Sequence, residues 1–81
     1  MDEKLYNKVM SGKSDHNIRF KDFEKLIVQL GFCLLNQTGS HSTYAIPGVY
    51  AHITINPDGN KAHGYQVKKL RNFIRKNGLG K

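Results

Sequence analysis

Apolar residues recur at helical spacing in three segments of the chain, which has 81 residues. The segments run from Asp2 to Gly12, from Phe20 to Gly31 and from Tyr65 to Gly78. An aspartate can cap the free amides of a first turn, and glycine readily takes the left-handed conformation that ends a helix. The pattern therefore predicts three helices. The second has the most regular apolar face, formed by Phe23, Leu26, Ile27 and Leu30.

Three short segments between the second and third helices are typical of β-strands. They read FCLLNQ, HSTYAI and YAHITI and cover residues 32–37, 41–46 and 50–55. Short polar or Pro-Gly connections separate them, so we expect one antiparallel sheet. We interpret the following NPDGNK as a turn that leads into the last helix.

The faces of this sheet depend on the length of its second connection. If residues 47–48 alone form the loop, Ser42 pairs with Ile53, and Thr43 lies opposite His52. The predicted core face then carries Tyr44, Ile46, Val49, Ala51, Ile53 and Ile55. The predicted exposed face carries His41, Thr43, Ala45, Tyr50, His52 and Thr54. Pro-Gly favours a type II turn over the usual hairpin turns, so a longer loop that shifts this pairing stays open.

The length of the chain indicates a single domain of the α+β class. We divide residues 1–81 into an N-terminal helix (1–12), a polar connector (13–19) and a core (20–81). No segment is long and apolar enough to span a membrane, and the N-terminus does not resemble a signal peptide. Cys33 is the single cysteine, and we interpret it as a small apolar strand residue. We therefore expect a cytoplasmic protein without a metal or another cofactor.

Lysine and arginine outnumber the acidic residues by 13 to 6, which gives a net charge of +7 and an isoelectric point near 9.8. This balance favours a polyanionic partner, nucleic acid before an acidic protein. The predicted outer half of the last helix carries Lys68, Lys69, Arg71, Arg75 and Lys76. Such residues often form only a solvated helix face. Because no acidic residue follows Tyr65, we favour a phosphate-binding stripe.

The acidic residues are too few for several kinds of catalysis. Apart from Asp58, no aspartate or glutamate follows Glu24. The strands and the last helix therefore lack the carboxylates of a two-metal nuclease or a glycosidase. The glycine-rich phosphate loop of nucleotide-binding proteins is also absent from the sequence. The four histidines remain as groups that transfer protons near neutral pH.

The four histidines occupy different parts of the predicted fold. His41 follows Gly39–Ser40, where the missing glycine side chain lets a substrate approach the backbone, and it lies on the exposed sheet face. His52 shares this face, diagonal to His41, as a second proton carrier or as an ordinary polar strand residue. We interpret His16 as an exposed connector residue. His63 lies where the last helix begins and can touch a phosphate there.

Three collinear segments of the chain carry a family resemblance. They read SGKSDHNIRFKDFEKLIVQLGF, GSHSTY and INPDGNKAHGYQVKKLRNFIRKNGL. Their order, their spacing and the Gly-Ser-His signature resemble the HicA toxins, small ribonucleases of bacterial and archaeal toxin–antitoxin pairs. The chain departs from the family at Ser42 and Thr43, where a second histidine or an apolar residue is common. It also has His63 and Gly64 where the similar subgroup has Lys-Pro.

The resemblance implies a fold similar to double-stranded RNA-binding domains. In that fold two helices pack on a three-stranded antiparallel sheet in the order α-β-β-β-α, here with an extra N-terminal helix. The resemblance further implies a type II toxin that cleaves mRNA without a metal, with His41 as its catalytic residue. An acidic HicB-type antitoxin would neutralise the toxin by covering the site.

Charge and resemblance together predict how RNA binds. We expect RNA to lie across the exposed sheet face with its phosphates against the last helix. The expected RNA-binding residues are Gly39, Ser40, Lys61, Lys68, Arg71 and Arg75. His41 would take the proton of a ribose 2′-hydroxyl or donate one to the leaving 5′ oxygen, which requires that His41 be exposed on the side of these cations. Two alternatives stay open: a non-catalytic RNA-binding module of the same fold, and a basic surface that serves mainly the antitoxin or DNA.

Overall fold

A computed structural model describes residues 2–49 and 51–79, and in these residues the chain is an α+β domain with three helices. The elements are α1 (Glu3–Ser11), α2 (Phe20–Gln29), β1 (Cys33–Thr38), β2 (His41–Ala45), β3 (His52–Ile55), β4 (Pro57–Asp58), β5 (Lys61–Ala62) and α3 (Gly64–Asn77). Strands β1, β2 and β3 form an antiparallel sheet in that order. The predicted helices and the predicted three-stranded sheet are therefore confirmed.

The ends of the helices follow from the residues beside them. The Asp2 side chain accepts a hydrogen bond from the Leu5 amide at 3.1 Å, as expected of an N-cap. Gly12, at the other end of α1, has a φ of 73°, which favours glycine because a side chain crowds this conformation. Helix α2 begins after Arg19, which provides no side-chain cap.

The helices lie on one side of the sheet, where α3 contacts β3 and α1 packs against α2 and α3. Their inward side chains share a single hydrophobic core with Tyr44, Ile53 and Ile55 of the strands. The opposite face carries the alternate residues of β2 and β3, which are exposed or half-buried. The sheet thus separates the helices from its outer face, on which His41 lies.

The predicted register between β2 and β3 is wrong by two residues. Ser42 pairs with Ile55, and the connection covers residues 46–51. A turn at its start explains the longer loop, because the Val49 amide donates to the Ile46 carbonyl at 3.2 Å. Gly48 has a φ of 86°, as a type II turn requires.

The register error changes the pairs but preserves the faces, because a shift of two residues retains the alternation of side chains. Thr43 faces Thr54, and their hydroxyl oxygens are 2.9 Å apart, whereas His52 lies beside Ala45. Ala51, predicted in the core, is exposed outside the sheet. Tyr50, predicted on the exposed face, lies outside the described residues.

The segment interpreted as a turn before α3 forms a second, small hairpin from β4 and β5. The connector holds this hairpin, because the Ala62 amide donates to the Ile18 carbonyl at 2.8 Å and the Phe20 amide donates to the Asn60 carbonyl at 2.9 Å. These bonds fix the position at which α3 begins.

Strand β1 forms an exposed edge of the sheet. Each of its six residues is exposed, including Leu34, Leu35 and Cys33, whereas Phe32 just before the strand is buried. The pairing with β2 shifts between Leu34 and Asn36, which indicates a β-bulge. None of the helices formed by the described residues is long and apolar enough to cross a membrane.

Candidate nucleic-acid interface

The turn between β1 and β2 is tight and open to solvent. Thr38 pairs with His41, so Gly39 and Ser40 alone form the loop. Gly39 has a φ of 60°, and no described atom lies within 4 Å of the position that a Cβ would take there. A ligand can therefore approach this backbone closely, as the role predicted for Gly39 and Ser40 would require.

His41 is the first residue of β2, and its side chain is exposed. The next residue, Ser42, is buried and points to the core, so His41 points to the outer face. The expectation that this imidazole lies uncovered at the surface is confirmed.

The register places His41 at the end of the sheet where α3 begins. Ser42 pairs with Ile55, so Asn56 follows the strand beside His41. The Asn56 amide donates to the side chain of Gln66 in the first turn of α3 at 3.2 Å. We call this corner the turn end; it comprises residues 39–41, Asn56 and residues 61–66.

A network of side-chain hydrogen bonds holds the turn end together. Gln66 is buried and donates through Nε2 to Asn56 Oδ1 at 2.8 Å and to the Tyr65 hydroxyl at 3.2 Å. Asn56 Nδ2 lies 3.3 Å from His63 Nε2, and the rings of His63 and Tyr65 lie 5.3 Å apart. Sequence analysis missed Asn56 and Gln66. The detectable signal was a glutamine four residues before Leu70, on the inward face of the helix.

A third histidine reaches the same corner. His16, interpreted as an ordinary connector residue, is exposed but packs against Gly64. A Cβ on Gly64 would clash with the His16 ring, so a larger residue here would require the exposed His16 side chain to move. The departure from the family pattern at Gly64 thus accommodates a side chain from the connector.

Arg71, predicted to bind RNA from the exposed half of α3, is instead buried. Its side chain is only 10% exposed and makes two hydrogen bonds to the Asp15 carboxylate, at 2.8 and 3.1 Å. It also donates to the Val9 carbonyl at 3.1 Å. The hydrogen bonds to Asp15 raise the pKa of Arg71 above its already high ordinary value, although desolvation opposes them. The connector and α1 cover this side of α3, which helical periodicity alone did not reveal.

The remaining basic residues of α3 do not form one stripe beside His41. Arg75 is exposed, but it donates to the Met10 carbonyl at 3.3 Å and lies about 16 Å along the helix from Gly64. Lys61 and Lys68 are exposed near the turn end, and Lys61 Nζ is 3.4 Å from the Asn17 amide oxygen. The predicted single stripe of cations beside His41 is therefore wrong, and the path of RNA across the sheet stays a prediction.

His52 does not pair with His41. It is exposed at the start of β3 beside Ala45, four residues along β2 from His41. At about 3.3 Å per residue this separation is about 13 Å. The predicted diagonal contact depended on the wrong register.

Formal charge is distributed unevenly around the interface. Residues 26–57 contain no lysine, arginine, aspartate or glutamate, so the whole three-stranded sheet is neutral apart from its histidines. Among residues 2–49 and 51–79, every lysine or arginine that could meet a phosphate therefore comes from the helices, the connector or the β4–β5 hairpin.

Comparison with other proteins does not identify the interface. No family model, curated protein or solved structure matches the chain. Within residues 2–49 and 51–79, no three His, Cys, Asp or Glu side chains lie close enough together to hold a metal ion. The function of the protein is therefore inferred from the residues of the turn end.

Proposed function

We propose that this protein is a HicA-type toxin, an endoribonuclease that cuts mRNA at the turn end. The observation that carries the proposal is the position of His41. Its imidazole is exposed directly after a two-residue glycine turn, at the end of the sheet where Lys61 and His63 precede α3. A proton-transfer group, an open backbone and cations are the parts that RNA cleavage through the ribose hydroxyl needs.

In the proposed reaction His41 takes the proton of a ribose 2′-hydroxyl. The O2′–phosphorus bond forms as the phosphorus–O5′ bond breaks, which leaves a cyclic 2′,3′-phosphate, and the leaving O5′ takes a proton from water. The nucleophile comes from the substrate, so the protein supplies position, charge and proton transfer. Positioned proton transfer contributes about 10²–10⁴-fold to such a rate.

The RNA backbone binds around the end of the sheet in this proposal. Gly39 and Ser40 admit it closely, and Lys61 and Lys68 neutralise phosphates. Arg71 has no part in binding because it is engaged with Asp15. Arg75, at the far end of α3, contacts only a longer RNA.

The arrangement of the elements supports a fold similar to double-stranded RNA-binding domains. Helix α2, the three strands and α3 follow one another in the α-β-β-β-α order, with α1 as the extra helix. In this chain the turn after β1 and the start of α3 lie at one end of the sheet, which is the geometry on which our mechanism depends. We further propose that an acidic HicB-type antitoxin covers the turn end in the cytoplasm, because the net charge of +7 favours an acidic partner.

A non-catalytic RNA-binding module is the second candidate, and one observation favours it. His52, the predicted second proton carrier, is about 13 Å from His41 along the strand. A site with a single proton-transfer residue is compatible with RNA binding alone and with RNA cleavage. A measurement of catalytic turnover therefore decides between the two candidates.

The deciding experiment compares two exposed histidines on the same sheet face. Purified wild type, His41→Gln and His52→Gln are incubated with labelled single-stranded RNA and a chelator. We expect wild type and His52→Gln to cleave, and His41→Gln to lose activity by about 10²-fold or more with unchanged thermal unfolding. A salt-sensitive gel shift without product in wild type supports the binding module. Equal cleavage by wild type and His41→Gln excludes His41 as the catalyst.

A further inference from the structure

The buried amide of Gln66 fixes the direction of the hydrogen bonds around it. Its side-chain oxygen accepts from the backbone N–H of Asn56 at 3.2 Å. A backbone N–H can only donate, so this contact identifies the oxygen end of the Gln66 amide. The nitrogen end must then donate its two hydrogens to Asn56 Oδ1 and to the Tyr65 hydroxyl, at 2.8 and 3.2 Å.

The orientation of the Asn56 amide also determines the direction of its hydrogen bond with His63. Because Oδ1 of Asn56 accepts from Gln66, its Nδ2 is the atom 3.3 Å from His63 Nε2. An amide nitrogen offers only hydrogens, so Nε2 of His63 accepts. Neutral His63 therefore carries its proton on Nδ1. No hydrogen-bond acceptor for Nδ1 lies within residues 2–49 and 51–79.

Tyr65 is oriented by the same amide. Its oxygen accepts from Gln66, which leaves its own hydrogen free to donate. Tyr65 is 66% exposed, and its ring centroid is 5.3 Å from that of His63. One buried glutamine thus presents two neighbouring surface side chains as hydrogen-bond donors.

We propose that His63 and Tyr65 form a phosphate-binding pair that receives a backbone phosphate of the RNA beside His41. A phosphate diester offers only acceptors, which complements a pair of fixed donors. Lys61 supplies the positive charge. It precedes His63 by two residues in an extended segment, so both side chains point to the same side of this segment, opposite the buried side chain of Ala62. His63 is a binding residue rather than a second proton carrier, because Asn56 occupies its unprotonated nitrogen.

Nitrogen-15 NMR of histidine tests the tautomer without any need for activity. At pH 8 we expect the wild-type His63 proton on Nδ1, and added inorganic phosphate should shift this nitrogen. In Asn56→Ala the fixed tautomer is lost, and the response to phosphate weakens. A wild-type His63 with its proton on Nε2 overturns the hydrogen-bond assignment, and a His63 that does not respond to phosphate overturns the binding role.

The claim that the bound phosphate belongs to a nucleic acid rests on the proposed function. It therefore needs a second measurement. Single-stranded DNA lacks the 2′-hydroxyl and should not be cut, so it reports binding alone. We expect His63→Ala to weaken DNA binding about tenfold, as the loss of a hydrogen bond to a charged group does, with His52→Ala as the unchanged control. Equal weakening in both variants contradicts the pair. Intact DNA and phosphate binding by a protein that never cleaves RNA refutes the proposed function but not this inference.

Discussion

The neutral segment, residues 26–57, differs from the charged segments on either side of it, residues 1–25 and 58–81. The neutral segment builds the whole sheet and presents His41 at a turn, but it provides no lysine or arginine. The charged segments build α1, most of α2, the β4–β5 hairpin and α3, and they contain every cation. The exposed imidazole of His41 and the lysine and arginine side chains therefore come from different parts of the chain, and the turn end contains residues of both.

The charged segments are not uniform in what their cations do. Lys61 and Lys68 are exposed near the turn end, whereas Arg71 is buried against Asp15. A buried arginine with its hydrogen bonds satisfied holds elements together and is not accessible to a ligand. The number of basic residues on a helix therefore overstates its capacity to bind phosphate.

Among substitutions of the charged residues, the largest expected effect comes from removing the buried arginine. Arg71→Ala deletes the bonds to Asp15 and to the Val9 carbonyl, and it leaves a carboxylate without its partner. We expect the free energy of unfolding to fall by about 3 kcal/mol, measured by urea denaturation. Lys69→Ala, an exposed neighbour in the same helix, should change it by less than about 0.5 kcal/mol. Equal stability of the two variants contradicts the structural role of Arg71.

A smaller effect separates the cations at the turn end from those at the far end of α3. Lys61→Ala and Lys68→Ala should each weaken binding of single-stranded RNA and make the log–log salt dependence shallower by about 0.7. Binding is measured in the His41→Gln background, so that the RNA stays intact. Lys76→Ala is the matched control in the last turn of α3, and it should not change the affinity for a short RNA. Equal slopes for the three lysine variants restore the continuous stripe that the sequence predicted.

The sequence predicted well what local pattern determines. The helices, the glycines that end them and the exposed side of His41 follow from capping, spacing and alternation, which depend on neighbouring residues. It failed for contacts between residues far apart in the chain. Arg71 meets Asp15 across 56 positions, and nothing in the periodicity of α3 distinguishes it from an exposed cation.

The register and the hydrogen-bond network of the turn end show the same limit. The choice between a loop of residues 47–48 and one of residues 46–51 depends on a type II turn that Pro47 and Gly48 favour, and the alternation of side chains is the same for both loops. The network that orients His63 requires Gln66 and Asn56 to meet, which only the packing of α3 against the end of β3 achieves.

A charge of the first charged segment also acts on Tyr44 of the neutral sheet, and this interaction predicts a pH dependence. Burial, and secondarily the charge of Glu24, raises the pKa of Tyr44 above its ordinary value of 10.0. The folded state therefore favours the neutral phenol, so this contribution to stability is complete below pH 10 and is lost as the pH rises through the raised pKa. In urea denaturation between pH 9 and 11, Tyr44→Phe should lose less stability than wild type. Glu24→Gln should reduce the loss of stability of the wild type by a smaller amount than Tyr44→Phe does, because Glu24 is the lesser cause of the raised pKa. Identical pH profiles of wild type and Tyr44→Phe contradict the role of Tyr44 in this pH dependence.

The smallest expected effect tests the exposed edge of the neutral segment. Leu35 is 64% exposed at the bulge of β1, so Leu35→Lys should change the free energy of unfolding by less than about 0.5 kcal/mol. The corresponding substitution Ile55→Lys, at a fully buried position, should prevent folding. Because charged residues on an edge strand oppose pairing with a second chain, Leu35→Lys should also reduce light scattering by concentrated protein. A loss of more than about 1 kcal/mol in Leu35→Lys indicates that the edge is packed rather than open, and the contrast between a neutral, exposed sheet edge and a charged helical layer then fails.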